Sequence, residues 1–178
     1  MVEVKYWGFI FPLITIICLI LSLFFPMMNV SIDYSPAFNI QDKLYLTGGG
    51  IIDALDSYID TYDEIRIIRI YLMGMIIGFI ISIVTTSILS IISAIFVISR
   101  INRLKIAKIM WLIMGVSLLT SQLFLLFYFN FLIRTRLSHE DIFIYPLDVR
   151  FTMGFAMIFL MIGGAVLLLG FILTSIVK

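Results

Sequence analysis

The sequence predicts an all-α membrane protein: a four-transmembrane-helix bundle with a small extracellular cap. Three observations predict it. Four stretches, Tyr6 to Ile32, Ile70 to Ser99, Ile109 to Ile133 and Phe151 to Val177, contain no Asp, Glu, Lys, Arg or His. Each exceeds the roughly 20 residues that a helix rising about 1.5 Å per residue needs to cross a hydrocarbon core about 30 Å thick. The 178 residues are also 62% hydrophobic and only 13% charged, too little polar surface to cover a water-soluble globule.

The spans fall at about 6–28, 70–99, 109–133 and 151–177, with outer loops 29–69 and 134–150 and an inner loop 100–108. They use nearly all of residues 1–178, which makes one membrane domain with no room for a separate soluble one. Arg100, Arg103, Lys105 and Lys108 fill the shortest gap without an acid, and such density in a short loop marks the cytoplasmic side. Both termini then lie inside, in a membrane taken to be the plasma membrane. Six basic and one acidic side chain fall inside, against six basic and ten acidic outside. A net charge of +1 and the absence of a larger basic surface argue against nucleic acid as a partner.

The first span follows Lys5 and so has the look of a signal peptide, but its apolar run is long and Phe25-Pro26-Met27-Met28 offers no small-x-small cleavage site. Pro12 is expected to bend it, with Thr15 or a neighbouring helix taking up the freed carbonyl. Trp7 and Trp111, near inner ends of spans, read as interfacial anchors, and Phe124, Phe127, Tyr128, Phe129 and Phe131 read the same way at the outer end of the third span. Cys18 is the single cysteine and lies within the first span, so no disulfide staples the outer loops. Asn29-Val30-Ser31 matches a glycosylation acceptor too close to the membrane to be reached easily.

In the first outer loop Val30, Ile32 and Tyr34 alternate with polar residues, Pro36 breaks the run, and Lys43 to Thr47 gives a second extended stretch before Gly48-Gly49-Gly50, the signals of a small β-hairpin or an irregular cap. After the glycines the period changes. Ile51, Ile52, Leu55, Tyr58, Ile59, Tyr62 and Ile65 recur at helical steps, with Asp53, Asp56, Asp60, Asp63 and Glu64 opposite. This amphipathic helix either joins the second span as one rod or bends near Arg66 to Ile70. Its face of Ile51, Leu55, Tyr58, Ile59 and Tyr62 is a candidate partner surface, against the plainer expectation that it packs on the neighbouring loop segments. Carboxylates strung along a helix seldom converge on one cation, so the acids read as a solvated face rather than a calcium site.

The second span repeats a small residue every fourth position: Gly74, Gly78, Ser82, Thr86, Ser90 and Ala94. In lipid, small residues let two backbones approach for van der Waals contact, so this stripe is expected to pack along its length against another helix, either of this chain or of a neighbouring molecule. The fourth span, with Gly154, Ala156, Gly163, Gly164, Ala165 and Gly170, is the expected internal mate.

The chemistry that is missing narrows function. Proton relays and charged-substrate transporters place ionisable groups inside the membrane, and these spans hold none. Gln122 is the deepest polar side chain and reads as interhelical glue, with Asn130 nearer the outer edge. One histidine, His139, cannot make a bis-histidine haem site, and beside Glu140 and Asp141 it reads as ordinary surface. Gly48-Gly49-Gly50 lacks the Lys and Ser or Thr of a phosphate loop. No cofactor, metal or enzymatic activity is expected.

The layout resembles that of claudin-like four-span proteins: termini inside, a long first outer loop with β and helical parts, a short inner turn and a shorter second outer loop. The resemblance covers the chain as topology. The family's first-loop signature, a Trp, a Gly-Leu-Trp and two cysteines, has no counterpart between Asn29 and Arg69. No family site residue therefore transfers, and paracellular sealing is not implied. The leading expectation is a non-enzymatic protein acting through contacts with a membrane-protein partner or further copies of itself, surrounded by lipid: a scaffold, adhesion component or accessory subunit. The competing one is a transporter or channel subunit for neutral or apolar solutes with Gln122 on the pathway.

Overall fold

The computed structural model describes residues 2–34, 38–47, 49–58, 63–99, 104–128, 131 and 147–176. In chain order these form α1 (Val2–Phe24), β1 (Met28–Tyr34), β2 (Phe38–Leu44), α2 (Ile51–Asp56), α3 (Asp63–Ser99), α4 (Leu104–Tyr128), β3 (Leu147–Met153) and α5 (Phe155–Ile176). Segments Ile65–Ile98, Leu104–Phe127 and Phe155–Ile176 are long and apolar enough to cross a membrane, and α1 contributes a shorter described apolar run, Gly8–Phe24. Large aliphatic and aromatic residues stand exposed all along these helices, among them Ile17, Phe24, Ile77, Ile88, Ile113 and Leu169. Water would penalise so much open apolar surface, whereas lipid accepts it. The described chain divides into two compact units: Met1–Phe24 with Ile81–Gln122 and Ile158–Lys178, and Phe25–Ile80 with Leu123–Met157.

The first unit is helical. Its core gathers Val97 of α3, Ala107, Trp111, Met114 and Leu118 of α4 and Leu167 of α5, with Phe11 of α1 packed alongside. Trp111 is fully buried here, which corrects its placement as an interfacial anchor. Its indole N–H donates to Ser93 Oγ at 3.1 Å, so the one polar atom of the ring is satisfied inside the protein. Phe11 meets it with ring centroids 6.0 Å apart. The side chain of Trp7 lies outside the described residues.

Glycines bring α4 and α5 together. A Cβ added to Gly115 would lie 2.9 Å from Gly164 O, and one added to Gly164 would lie 3.1 Å from Gly115 O. The two backbones therefore face each other directly, the close approach that small residues permit in lipid. Gly170 faces Phe11 and Gly163 faces Thr15 and Cys18, so α5 also lies on α1. The small residues of α5 thus serve α1 and α4, a correction to their expected pairing with α3. Thr15 Oγ is 3.0 Å from Phe11 O and 3.2 Å from Gly163 O, one hydroxyl shared between a carbonyl of its own helix and one of α5. Lys108 Nζ donates to Thr174 O, placing a cation on the carbonyl-rich end of α5.

The second unit carries a three-stranded antiparallel sheet in the order β2-β1-β3. A hairpin forms from β1 and β2, paired from Met28↔Leu44 to Tyr34↔Phe38, with its second strand at Phe38–Leu44 rather than at the expected Lys43 to Thr47. The third strand was not expected. β3 pairs with β1 from Met28↔Met153 to Tyr34↔Leu147, so the residues assigned to the start of the fourth span are strand, and the helix begins at Phe155. Inward, Met28, Val30, Ile32, Tyr34, Ile40, Leu44, Val149 and Phe151 are buried. Gly154 makes the turn into α5: a Cβ there would run into Pro26 O and lie 2.5 Å from Met27 O. Its N–H donates to Met27 O at 2.8 Å, and Ala156 N–H to Pro26 O at 3.0 Å, so the carbonyls before β1 take up free donors at the start of α5. Gly154 is therefore a strand-to-helix junction rather than a span-packing residue.

After β2, Gly50 adopts φ 77° with its backbone against the Lys43 carbonyl, a conformation and closeness that exclude a side chain. Asp53 Oδ2 accepts from Gly50 N–H at 3.3 Å and starts α2. The expected long amphipathic helix is interrupted. α2 closes after Asp56, where Ser57 Oγ donates to Ala54 O at 2.7 Å and Tyr58 N–H to Leu55 O at 2.9 Å. α3 then runs unbroken through Arg66 to Ile70, where the alternative bend was expected.

Candidate functional site

The predicted partner face comes apart in the structure. Ile51, Ile52 and Leu55 are buried where α2 lies on β2, so they form core and not a docking surface. Tyr58 is half-buried, and Ile59 and Tyr62 lie outside the described residues. Six residues laid on a strand have one face to cover, and the sheet covers it. The acids nearby have other tasks: Asp53 holds Gly50 N–H, and Asp56 pairs with Arg69 of α3 at 2.6 Å. That pair is partly exposed, so it fixes geometry more than it adds stability.

The small-residue stripe also divides. In the first unit Thr86, Ser90 and Ala94 are buried and Ser82 half-buried. Ser90 Oγ lies 3.9 Å from Met114 Sδ, and Ser93 receives the Trp111 N–H, so this part of α3 rests on α4. In the second unit Gly74 and Gly78 are exposed, and a Cβ on either would meet nothing within 4 Å among the described residues. The seam buried there is Ile65, Ile68, Leu72, Met75 and Phe79, at three- and four-residue steps on another side of the helix. Within the described chain the stripe is used in one half, and the two glycines are left open.

A surface absent from the sequence expectations lies on the sheet. Strand alternation turns three residues of each strand away from the buried face, and register sets them in rows: Lys43, Asn29 and Thr152; Gln41, Ser31 and Arg150; Asn39, Asp33 and Asp148. All nine are polar. Asn29 Nδ2 donates to Thr152 Oγ at 3.3 Å, and Arg150 Nε donates to Asp148 Oδ2 at 2.8 Å. A concavity of about 480 Å³ opens over the first two rows, lined by Asn29, Val30, Ser31, Gln41, Asp42, Lys43, Arg150 and Thr152. Its lining carries hydrogen-bonding side chains, two cations and one carboxylate, with no thiol or imidazole.

No protein-family model, curated protein or solved structure matches the chain. Function is therefore argued from these residues alone.

Inside the first unit, Gln122 is fully buried in α4. Its amide nitrogen is 3.3 Å from Ser121 Oγ, and its carbonyl oxygen has no hydrogen-bond partner among the described residues. The contacts Ser93 to Trp111 and Ser90 to Met114 set an antiparallel register that brings Gln122 level with Ser82. Asn130 and His139 lie outside the described residues. Phe124, Phe127 and Phe131 are exposed, and the last two stack at 5.7 Å, as suits rings turned to lipid.

Proposed function

We propose that the protein is a four-span, non-enzymatic membrane protein that acts through lateral protein contacts, as a scaffold, adhesion component or accessory subunit. The observation that carries this is the open pair Gly74 and Gly78, exposed between large apolar neighbours, Ile70 and Ile77 among them. Each glycine costs a helix about 1 kcal/mol relative to alanine, and within the chain nothing described is gained for it. A second transmembrane helix packed across the pair supplies that gain. The partner is a membrane protein or another copy of this chain.

The fourth span is α1, whose 23 residues reach about 34 Å as a helix, enough for a hydrocarbon core. Termini on the cytoplasmic side of the plasma membrane are supported by the acid-free basic run Arg100, Arg103, Lys105 and Lys108, which leads from the gap after α3 into the start of α4. The claudin-like layout is supported by the position of β1, β2 and α2 in the first long inter-helix segment and of β3 in the second. Gly78→Ile tests the contact. Because the site is open, the variant should keep its thermal midpoint within about 2 °C while losing the partner or the higher oligomer seen by size and crosslinking in mild detergent. Unchanged assembly would sink the proposal.

Gln122 favours a second reading, passage of a neutral solute, since a buried carbonyl oxygen in lipid without a donor costs several kcal/mol and so calls for a ligand or water. Reconstituted protein should then pass small uncharged solutes at a rate that Gln122→Leu abolishes. Equal flux through both proteins removes this reading.

A further inference from the structure

We propose that the helix-proximal half of the outward sheet face binds the phosphate of an anionic membrane lipid. Charge is sorted over the nine polar positions. The rows Lys43-Asn29-Thr152 and Gln41-Ser31-Arg150 hold two cations and four neutral hydrogen-bonding side chains, whereas both acids of the face, Asp33 and Asp148, sit in the third row. The concavity lies over the first two rows. Asp42 also lines the concavity, from the intervening position of β2, and its Oδ1 accepts from the Lys43 backbone N–H at 2.7 Å. Two cations and the donors of Asn29, Gln41, Ser31 and Thr152 stand against the single lining carboxylate of Asp42, a balance that suits phosphate oxygens.

The two cations are held differently. Arg150 is braced by Asp148, whose Oδ2 lies 2.8 Å from Nε and 2.7 Å from Nη2, which fixes the guanidinium plane and leaves its other N–H groups to turn toward a ligand. The Lys43 ammonium has no ion-pair partner among the described residues. Lys43 and Arg150 stand on the strands flanking β1, two strand spacings across and one row apart, about 12 Å between backbones. That span fits a phosphodiester against one cation with the hydroxyls of its headgroup reaching Gln41 and Ser31.

The position of the concavity selects lipid as the source of the phosphate. Its first row stands beside Met28 and Met153, and α5 begins two residues after Met153. Phe25 and Phe155, paired at 6.1 Å between ring centroids and exposed, mark the level where aromatic rings meet the membrane boundary. A helix entering lipid at Phe155 therefore puts Lys43, Asn29 and Thr152 at headgroup depth, within a few ångströms of phosphate.

The test uses the full-length protein extracted in mild detergent from vesicles of phosphatidylcholine with a minor share of phosphatidylglycerol, the retained lipid being quantified by mass spectrometry. Phosphatidylglycerol should be enriched over its share in the vesicle. Lys43→Gln and Arg150→Gln should each lower that enrichment about fivefold. Lys43→Arg should retain it, and Lys105→Gln, which removes an exposed cation of α4, should leave it unchanged. Equal enrichment in the Lys43→Gln/Arg150→Gln double variant overturns the site. Displacement of the lipid by inorganic phosphate assigns the concavity to a soluble phosphate and overturns the lipid as its ligand.

Discussion

Leu55→Asp should unfold the sheet-bearing unit rather than release a partner from it. Leu55 is fully buried where α2 lies on β2, beside Ile51 and Ile52. Removing its apolar side chain forfeits about 2–5 kcal/mol, as other large-to-small core changes do, and the incoming carboxylate is either left buried without a partner or neutralised at further cost. A total above about 4 kcal/mol is a large part of the 5–15 kcal/mol that holds a typical domain. The measurement is hydrogen exchange along β1, β2 and β3 in mild detergent. Amide protection at Val30, Ile32 and Val149 should fall to the level of an open chain, with the helices of the first unit still protected. A protected sheet together with loss of a bound protein would restore α2 as a partner face.

The same residue shows where sequence could and could not lead. Long uncharged runs mark membrane-crossing helices directly, because charge in lipid is costly whatever the neighbours. The first strand was legible for a similar reason, since Val30, Ile32 and Tyr34 alternate with polar residues, whereas its partner lies at Phe38–Leu44, ahead of the expected Lys43 to Thr47. Whether an apolar face is core or docking surface depends on what lies across from it, and the helical period of Ile51 and Leu55 carries no record of β2. Trp111 likewise fits both an interfacial belt and a core until Ser93 is found opposite its N–H.

The missed strand is more instructive. Leu147-Asp148-Val149-Arg150-Phe151-Thr152-Met153 alternates without a fault, which is the period of a half-buried strand. Its last three residues are uncharged and run into the apolar helix, so a rule based on charge assigns them to the span. Their hydrogen-bonding partner, β1, lies more than a hundred residues earlier, and no local signal announces such a pairing. The polar rows of the candidate site depend on that pairing, and for that reason Lys43 and Arg150 could not be connected from sequence.

Gly115 and Gly78 are both glycines in apolar helices, yet substitution should affect them in opposite ways. Gly115→Leu drives a side chain into the α4–α5 contact, where its Cβ alone would stand 2.8 Å from Leu168 Cγ and 2.9 Å from Gly164 O. Leu168 can turn aside, but a helix carbonyl cannot, so the helices must separate and lose the close backbone contact that holds them in lipid. A cost of about 3 kcal/mol is expected, a fall on the order of 10 °C in thermal midpoint for a chain of this size. Gly115→Ala, which adds only the Cβ, should lie between this and the native protein. At Gly78 the surroundings are open, and Ile there should leave the midpoint in place while assembly is lost. Measured side by side in one detergent, the pair separates the two uses of small residues. Stability should follow Gly115 and partner binding should follow Gly78. If Gly78→Ile instead lowered the midpoint as far as Gly115→Leu does, the open glycines would belong to the fold and the lateral contact would lose its support.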